Sequence, residues 1–217
     1  MTDRNKPPTP LSAPLERDEN GTLVLDRSNH SNVRHSAKNP NWMTPKDILD
    51  RARRALGGRI ALDPFSCALA NETVQAERFF SPENSAYDQE WVAETAWINH
   101  PGQQTKKAWA KTCQELLAGR LKQFVWMGFS VEQLCILSEP NEPDEPDEVR
   151  WARGLFVPTD FSICLLRKRV AFIDANDPDR RSAPAHANYL LAGGVEPRLF
   201  NASFADLGQC IHGALSI

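Results

Sequence analysis

The chain has 217 residues, 41% of them apolar, and a formal net charge of −3. That is enough apolar material for one domain with a real core, and it excludes a broadly basic coat, so any nucleic-acid contact must be local. No apolar run approaches the roughly 20 residues that cross a bilayer, and Met1 to Lys6 lack the apolar stretch of a secretory signal, so we expect a cytoplasmic protein with no membrane partner.

Residues 1–40 open on Pro7, Pro8, Pro10 and Pro14 and continue polar, with Leu23-Val24-Leu25 as an apolar island. This composition predicts a disordered tail ahead of a domain at 41–217. Thr44 can cap a first helix and Pro45 suits its first position. Ile48, Leu49, Ala52, Ala55 and Leu56 then share one face, and Gly57-Gly58 ends the helix. Ile60-Ala61-Leu62 reads as a strand running into Asp63-Pro64, and Trp97-Ile98 as a second strand stopping at Asn99. Lys106 to Leu117 is amphipathic and closed by Gly119. Phe124-Val125-Trp126-Met127 is a buried strand, followed by a short helix from Val131 to Leu137.

Between 139 and 148 the prolines Pro140, Pro143 and Pro146 alternate with Glu139, Glu142, Asp144, Glu145, Asp147 and Glu148. Proline removes backbone donors and the carboxylates repel, which predicts a solvated loop within the domain. Ile163 to Leu166, Val170 to Ile173 and Tyr189 to Leu191 read as late strands, with an antiparallel arrangement open to them. Cys67, Cys113, Cys135, Cys164 and Cys210 are scattered, so reduced, mostly buried thiols are expected and no metal.

Short apolar runs alternating with helical patterns predict an α/β domain with a mostly parallel sheet and an antiparallel C-terminal part. In such sheets ligands bind beyond the carboxyl ends of strands. The residues following predicted strands are therefore the candidates: Asp63-Pro64-Phe65-Ser66 and Asn99-His100-Pro101-Gly102. A strand-end carboxylate can accept hydrogen bonds from ammonium or hydroxyl groups. An amide held by proline-restricted backbone can present acceptors in fixed geometry to an exocyclic amine. No Gly-x-Ser-x-Gly elbow, Walker loop or paired-histidine metal motif is present.

Asn41-Trp42-Met43-Thr44-Pro45, Leu62-Asp63-Pro64, Glu90-Trp91, Trp97-Ile98-Asn99, Arg169-Val170-Ala171-Phe172 and Ser182-Ala183-Pro184-Ala185-His186 follow one another in the order seen in the phage DNA N-6-adenine methyltransferase (Dam) family, which this chain resembles over about residues 40–212. The resemblance implies a Rossmann-like class I S-adenosylmethionine-dependent methyltransferase fold and a DNA partner. It implies that Trp42, Thr44 and Pro45 shape the methionine end of an S-adenosylmethionine pocket, with Asp63 and Pro64 as its strand-end floor. Asn99, His100 and Pro101 then fall in the catalytic tetrapeptide. The chain departs from the family's Asn-Pro-Pro-Tyr/Phe pattern at His100, which keeps a backbone carbonyl, and at Gly102, which replaces the ring that stacks on a flipped adenine. His100, Trp97 and Trp109 are the alternative stacking groups by sequence.

Lys106, Lys107, Arg167, Lys168, Arg169, Arg180 and Arg181 are the candidate phosphate contacts, the last two in a polar loop. Trp91, Trp126 and Phe172 read as core. Two other functions stay open at this level: a catalytically inactive DNA-binding accessory protein, and a methyltransferase for another exocyclic amine.

Overall fold

The computed structural model describes residues 42–134, 161–183 and 186–213, together with two short strands nearer the N-terminus, Glu16–Arg17 (β1) and Leu23–Val24 (β2). The acidic loop at 139–148, Cys135 and the second half of the helix expected at 131–137 lie outside the described residues, as does the rest of the tail. The chain divides into two units, Met1–Ala37 and Lys38–Ile217. In the first, β1 and β2 pair antiparallel, so part of the apolar island in the expected tail forms a strand.

The second unit opens with Trp42–Met43 (β3) and the helix Lys46–Ala55 (α1). Ile48, Leu49, Ala52 and Ala55 are buried along its inner face, and Gly57 and Gly58 end it with φ of 78° and 104°, a region that glycine enters without steric cost. Leu62–Asp63 (β4), the helix Ala68–Val74 (α2) and Arg78–Phe79 (β5) follow. Then come Ala93–Ile98 (β6), Thr105–Leu117 (α3) and Leu121–Gly128 (β7). The last part runs Phe161–Leu166 (β8), Phe172–Asp174 (β9), Asp177–Ser182 (β10), Tyr189–Gly193 (β11), the helix Pro197–Phe204 (α4) and Gly208–Gly213 (β12).

Seven of these strands form one sheet in the order β12-β8-β11-β7-β6-β4-β5. β5, β4, β6 and β7 pair parallel to one another, while β11 pairs antiparallel to both β7 and β8, and β12 antiparallel to β8. β8 therefore points the same way as the parallel four. The result is a mixed α/β sheet, mostly parallel in direction, compatible with a Rossmann-like fold. A smaller sheet, β10-β9-β3, is antiparallel throughout.

Both faces of the large sheet are covered, which is why its central strands read as unbroken apolar runs. Trp97, Val125, Met127, Leu190 and Ala192 pack with α1 and α4 on one face. Their sequence neighbours Ala96, Ile98, Phe124, Trp126, Tyr189 and Leu191 pack with α3 on the other. Tyr189 lies opposite Gly128 in register, and its ring fills the space that a Cβ at 128 would need.

Chain direction fixes where a ligand would sit. From β4 the chain crosses by α2 to β5 on one side, whereas from β6 it crosses by α3 to β7 on the other. The strand order thus reverses between β4 and β6. Their adjacent carboxyl ends, Asp63 and Ile98-Asn99, border the crevice that such a reversal opens.

Candidate active site at the carboxyl edge of the sheet

Asn99 follows β6 directly and is tied by its side chain to a segment 55 residues earlier: its Nδ2 donates to Thr44 Oγ1 at 3.1 Å. Thr44 is therefore not the helix cap that its position suggested. Helix α1 starts without a side-chain cap, and the Pro45 carbonyl accepts from Ile48 N at 3.1 Å and Leu49 N at 3.3 Å. The hydroxyl is left to orient the asparagine amide. On the far side of that amide, Asn99 Oδ1 is buried and has no hydrogen-bond partner. A buried acceptor without a donor costs roughly 1–3 kcal/mol, so such groups are few in native proteins and each asks for a reason.

The loop after Asn99 is fixed by its histidine. His100 Nδ1 lies 2.9 Å from the Pro101 carbonyl and donates to it, which leaves Nε2 as a buried lone pair with no partner. The ring packs 4.3 Å from that of Trp126 and edge-on to Phe129 at 5.3 Å. Burial pulls its pKa down to about 4, against the pull of the bond to Pro101, so the ring is neutral near pH 7. A histidine thus supplies by packing and a side-chain bond the rigidity that proline would supply covalently. It also means that His100, 1% exposed, offers no face to a base, and the same holds for Trp97 at 1% and Trp109 at 0%. All three sequence candidates for stacking belong to the core.

Asp63 stands at the neighbouring strand end, buried, with Phe65 N donating to its Oδ1 at 3.1 Å. Desolvation pushes its pKa up to about 7 against the hydrogen bonds that favour the charged form. It is therefore poised between acid and carboxylate at neutral pH, and a cationic or hydroxylic ligand would draw it toward the charged form. Pro64 is buried beside it.

The small sheet adjoins this edge through Thr44, the residue after β3. Trp42 on β3 pairs in register with Asp174 on β9, and Arg180 reaches over to donate to Asp174 Oδ2 at 3.2 Å. The same guanidinium stands 5.7 Å from the Trp42 ring centroid. Arg180 and Arg181 were expected in a polar loop. They lie instead on β10, which pairs with β9 through an irregularity between Asp177 and Arg181. The buried Asp174 carboxylate recruits Arg180, and Arg181 stays exposed.

Two further loops meet at this edge, and the sequence did not single them out. Tyr87 donates to Gln104 Oε1 at 2.7 Å, lies 5.5 Å from the Phe65 ring and has Lys107 Nζ 4.4 Å from its own ring centroid, linking the Asp63 and Asn99 loops. Thr105 Oγ1 donates to the Gly102 carbonyl at 3.1 Å and accepts from Gln133 Nε2 at 2.8 Å. Gln133 Oε1 in turn accepts from Phe129 N at 3.1 Å. Phe129 immediately follows β7, so the strand-end rule that found Asp63 and Asn99 would have found it too.

The remaining basic candidates gather around the same edge. Lys106 and Lys107 open α3, and Arg167, Lys168 and Arg169 follow the carboxyl end of β8 and are exposed. Arg167 is partly held, donating from Nη1 to the Asp206 carbonyl at 3.0 Å. Among the described residues no helix is long and apolar enough to cross a membrane, and no group of three or more His, Cys, Asp or Glu residues could hold a metal ion. Compared with known proteins, the chain matches no family model and no curated protein.

Proposed function

We propose that this chain is a DNA adenine N-6 methyltransferase of phage or prophage type that uses S-adenosylmethionine. The observation that carries the reading is the unpartnered, buried Oδ1 of Asn99, held in place from behind by Thr44 at the reversal point of the sheet. An exocyclic amine presents two hydrogens, and an amide oxygen with no donor of its own is suited to accept one of them. The backbone carbonyl of His100 or Pro101 is the natural second acceptor, although the Pro101 oxygen already receives His100 Nδ1 and Gln104 N. That leaves the His100 carbonyl as the better choice. Two acceptors drawing on the amine expose its nitrogen lone pair for attack.

S-adenosylmethionine, when bound, supplies a methyl group already activated on a cationic sulfur. The residues fit such a ligand. Asp63 offers a titrating carboxylate to an ammonium or hydroxyl, and Trp42, Thr44, Pro45 and Pro64 would bound the pocket around it. With Asn99 Oδ1 and the His100 carbonyl holding the amine, methylation would leave it cationic and it would pass its extra proton to water. No protein base is required, in keeping with a buried His100 that stays neutral.

The test is transfer of tritium from methyl-labelled S-adenosylmethionine to unmethylated DNA, with nucleosides identified by mass spectrometry. Label is expected in N-6-methyladenine, falling at least a hundredfold in Asn99→Ala while cofactor binding by calorimetry persists. Transfer unaffected by Asn99→Ala removes this residue from the reaction. The absence of a ring at Gly102 favours a second reading, a DNA-binding accessory protein, which is the outcome if the cofactor binds but no methyl is transferred.

A further inference from the structure

We propose that Phe129 supplies the aromatic face on which the target base stacks, in place of a ring at position 102; the inference rests on the methyltransferase reading. A base taken out of a duplex loses its stacking, and a site that holds it must return an aromatic or apolar face next to the groups that read its edge. Gly102 cannot do this. A Cβ built on Gly102 would have Phe129 Cδ2 at 3.9 Å as its nearest neighbour among the described residues, an ordinary contact distance. The Phe129 ring therefore stands in contact distance of the place where a side chain at 102 would begin.

Its position is built rather than incidental. The relay from the Gly102 carbonyl through Thr105 and Gln133 to the Phe129 amide clamps the two loops together by three hydrogen bonds. The ring is braced edge-on by His100 at 5.3 Å and in a tilted contact by the ring of Phe172 at 5.9 Å, and it stays only partly buried while Trp97, Trp109 and Trp126 are covered. It also lies one residue beyond β7, next to β6 in the sheet, and so borders the Asn99 loop. Gly102 does not have a positive φ, so a ring there would meet no backbone strain once Phe129 is made smaller.

Tritium transfer to DNA is the measurement, with Phe129→Leu, Phe129→Tyr and the double variant Phe129→Leu with Gly102→Phe. Phe129→Leu is expected to lose about ten- to a hundredfold in kcat/KM for DNA, with cofactor binding by calorimetry unchanged. Phe129→Tyr should stay within a few-fold of wild type, and Gly102→Phe should restore most of what Phe129→Leu loses. Equal losses in the Tyr and Leu variants, or wild-type transfer by Phe129→Leu, overturn this inference alone. A wild-type chain that transfers no methyl overturns the methyltransferase reading and this inference with it.

Discussion

Asp63 and His100 stand at neighbouring strand ends, and burial acts on both in favour of the neutral form. For Asp63 the folded pKa rises to about 7 from 3.8, so between these values the folded chain holds a proton that the unfolded chain has lost, and stability falls as pH rises. For His100 the folded pKa drops to about 4 from 6.5, so in that window the unfolded chain holds the extra proton, and stability rises with pH. Over their shared range, pH 4 to 6.5, the two slopes oppose each other at about 1.4 kcal/mol per pH unit each. Removing one group exposes the other. Relative to wild type, Asp63→Asn should lose urea resistance on acidification through this range, while His100→Phe should gain it. Unfolding curves for both variants that run parallel to wild type from pH 4.5 to 6.5 would contradict the burial argument. Above pH 7 Asp63 is ionised, and by the same logic binding of the proposed S-adenosylmethionine at neutral pH should release a proton in wild type beyond what Asp63→Asn releases.

At the level of elements, helix α3 and strands β6 and β7 are held in mutual register by a single buried carboxylate. Glu115, 0% exposed, accepts from Trp91 N at 3.1 Å, from Arg120 Nε at 2.5 Å and from Lys111 Nζ at 2.7 Å. It joins the last turns of α3 to the segments entering both strands. Lys111, 12% exposed on its side chain, belongs to this cluster. Glu115→Ala removes the acceptor of Lys111 and of the Trp91 amide and leaves Arg120 with Glu90 at 3.8 Å, and is expected to cost about 3 kcal/mol in urea unfolding. A change below about 1 kcal/mol would mean that water replaces the carboxylate. The cluster also marks the boundary of what the sequence made legible. α1, α3, β6, β7, β8 and β11 were readable because their buried faces impose apolar periodicity or unbroken apolar runs. α2, β5, β10 and β12 were not, since Glu72, Arg78, Asp177 and Asp179 to Ser182 carry polar side chains to an exposed surface. At the site, Asp63 and Asn99 were legible from their place after strands. The bond from Asn99 to Thr44 and the reach of Phe129 to Gly102 were not, because no local pattern encodes contacts between segments so far apart.

Across the whole molecule the 28 acidic residues outnumber the 25 basic ones, yet strand direction sorts the basic candidates onto one edge. β4, β6, β7 and β8 all point the same way, so Lys106 and Lys107 after β6 and Arg167 to Arg169 after β8 emerge at the edge that holds Asn99. Lys122, near the start of β7, stands toward the opposite edge and is exposed. If DNA lies across the carboxyl edge, each lysine that meets a phosphate contributes about 0.9 to the slope of log affinity against log salt, whatever the base sequence. Arg180 is committed to Asp174 and Trp42, which makes its removal a test of the small sheet rather than of DNA contact. Lys107 and Lys168 are the probes, both exposed and neither tied to the small sheet, with the contact of Lys107 to the Tyr87 ring as its known tie. Lys107→Ala and Lys168→Ala should each weaken binding to a mixed-sequence duplex and lower the salt slope by about 0.9, and together by about twice that. Lys122→Ala should leave the slope at the wild-type value. A slope lowered equally by Lys122→Ala would mean a diffuse electrostatic attraction, with no preferred edge and no duplex laid over Asn99.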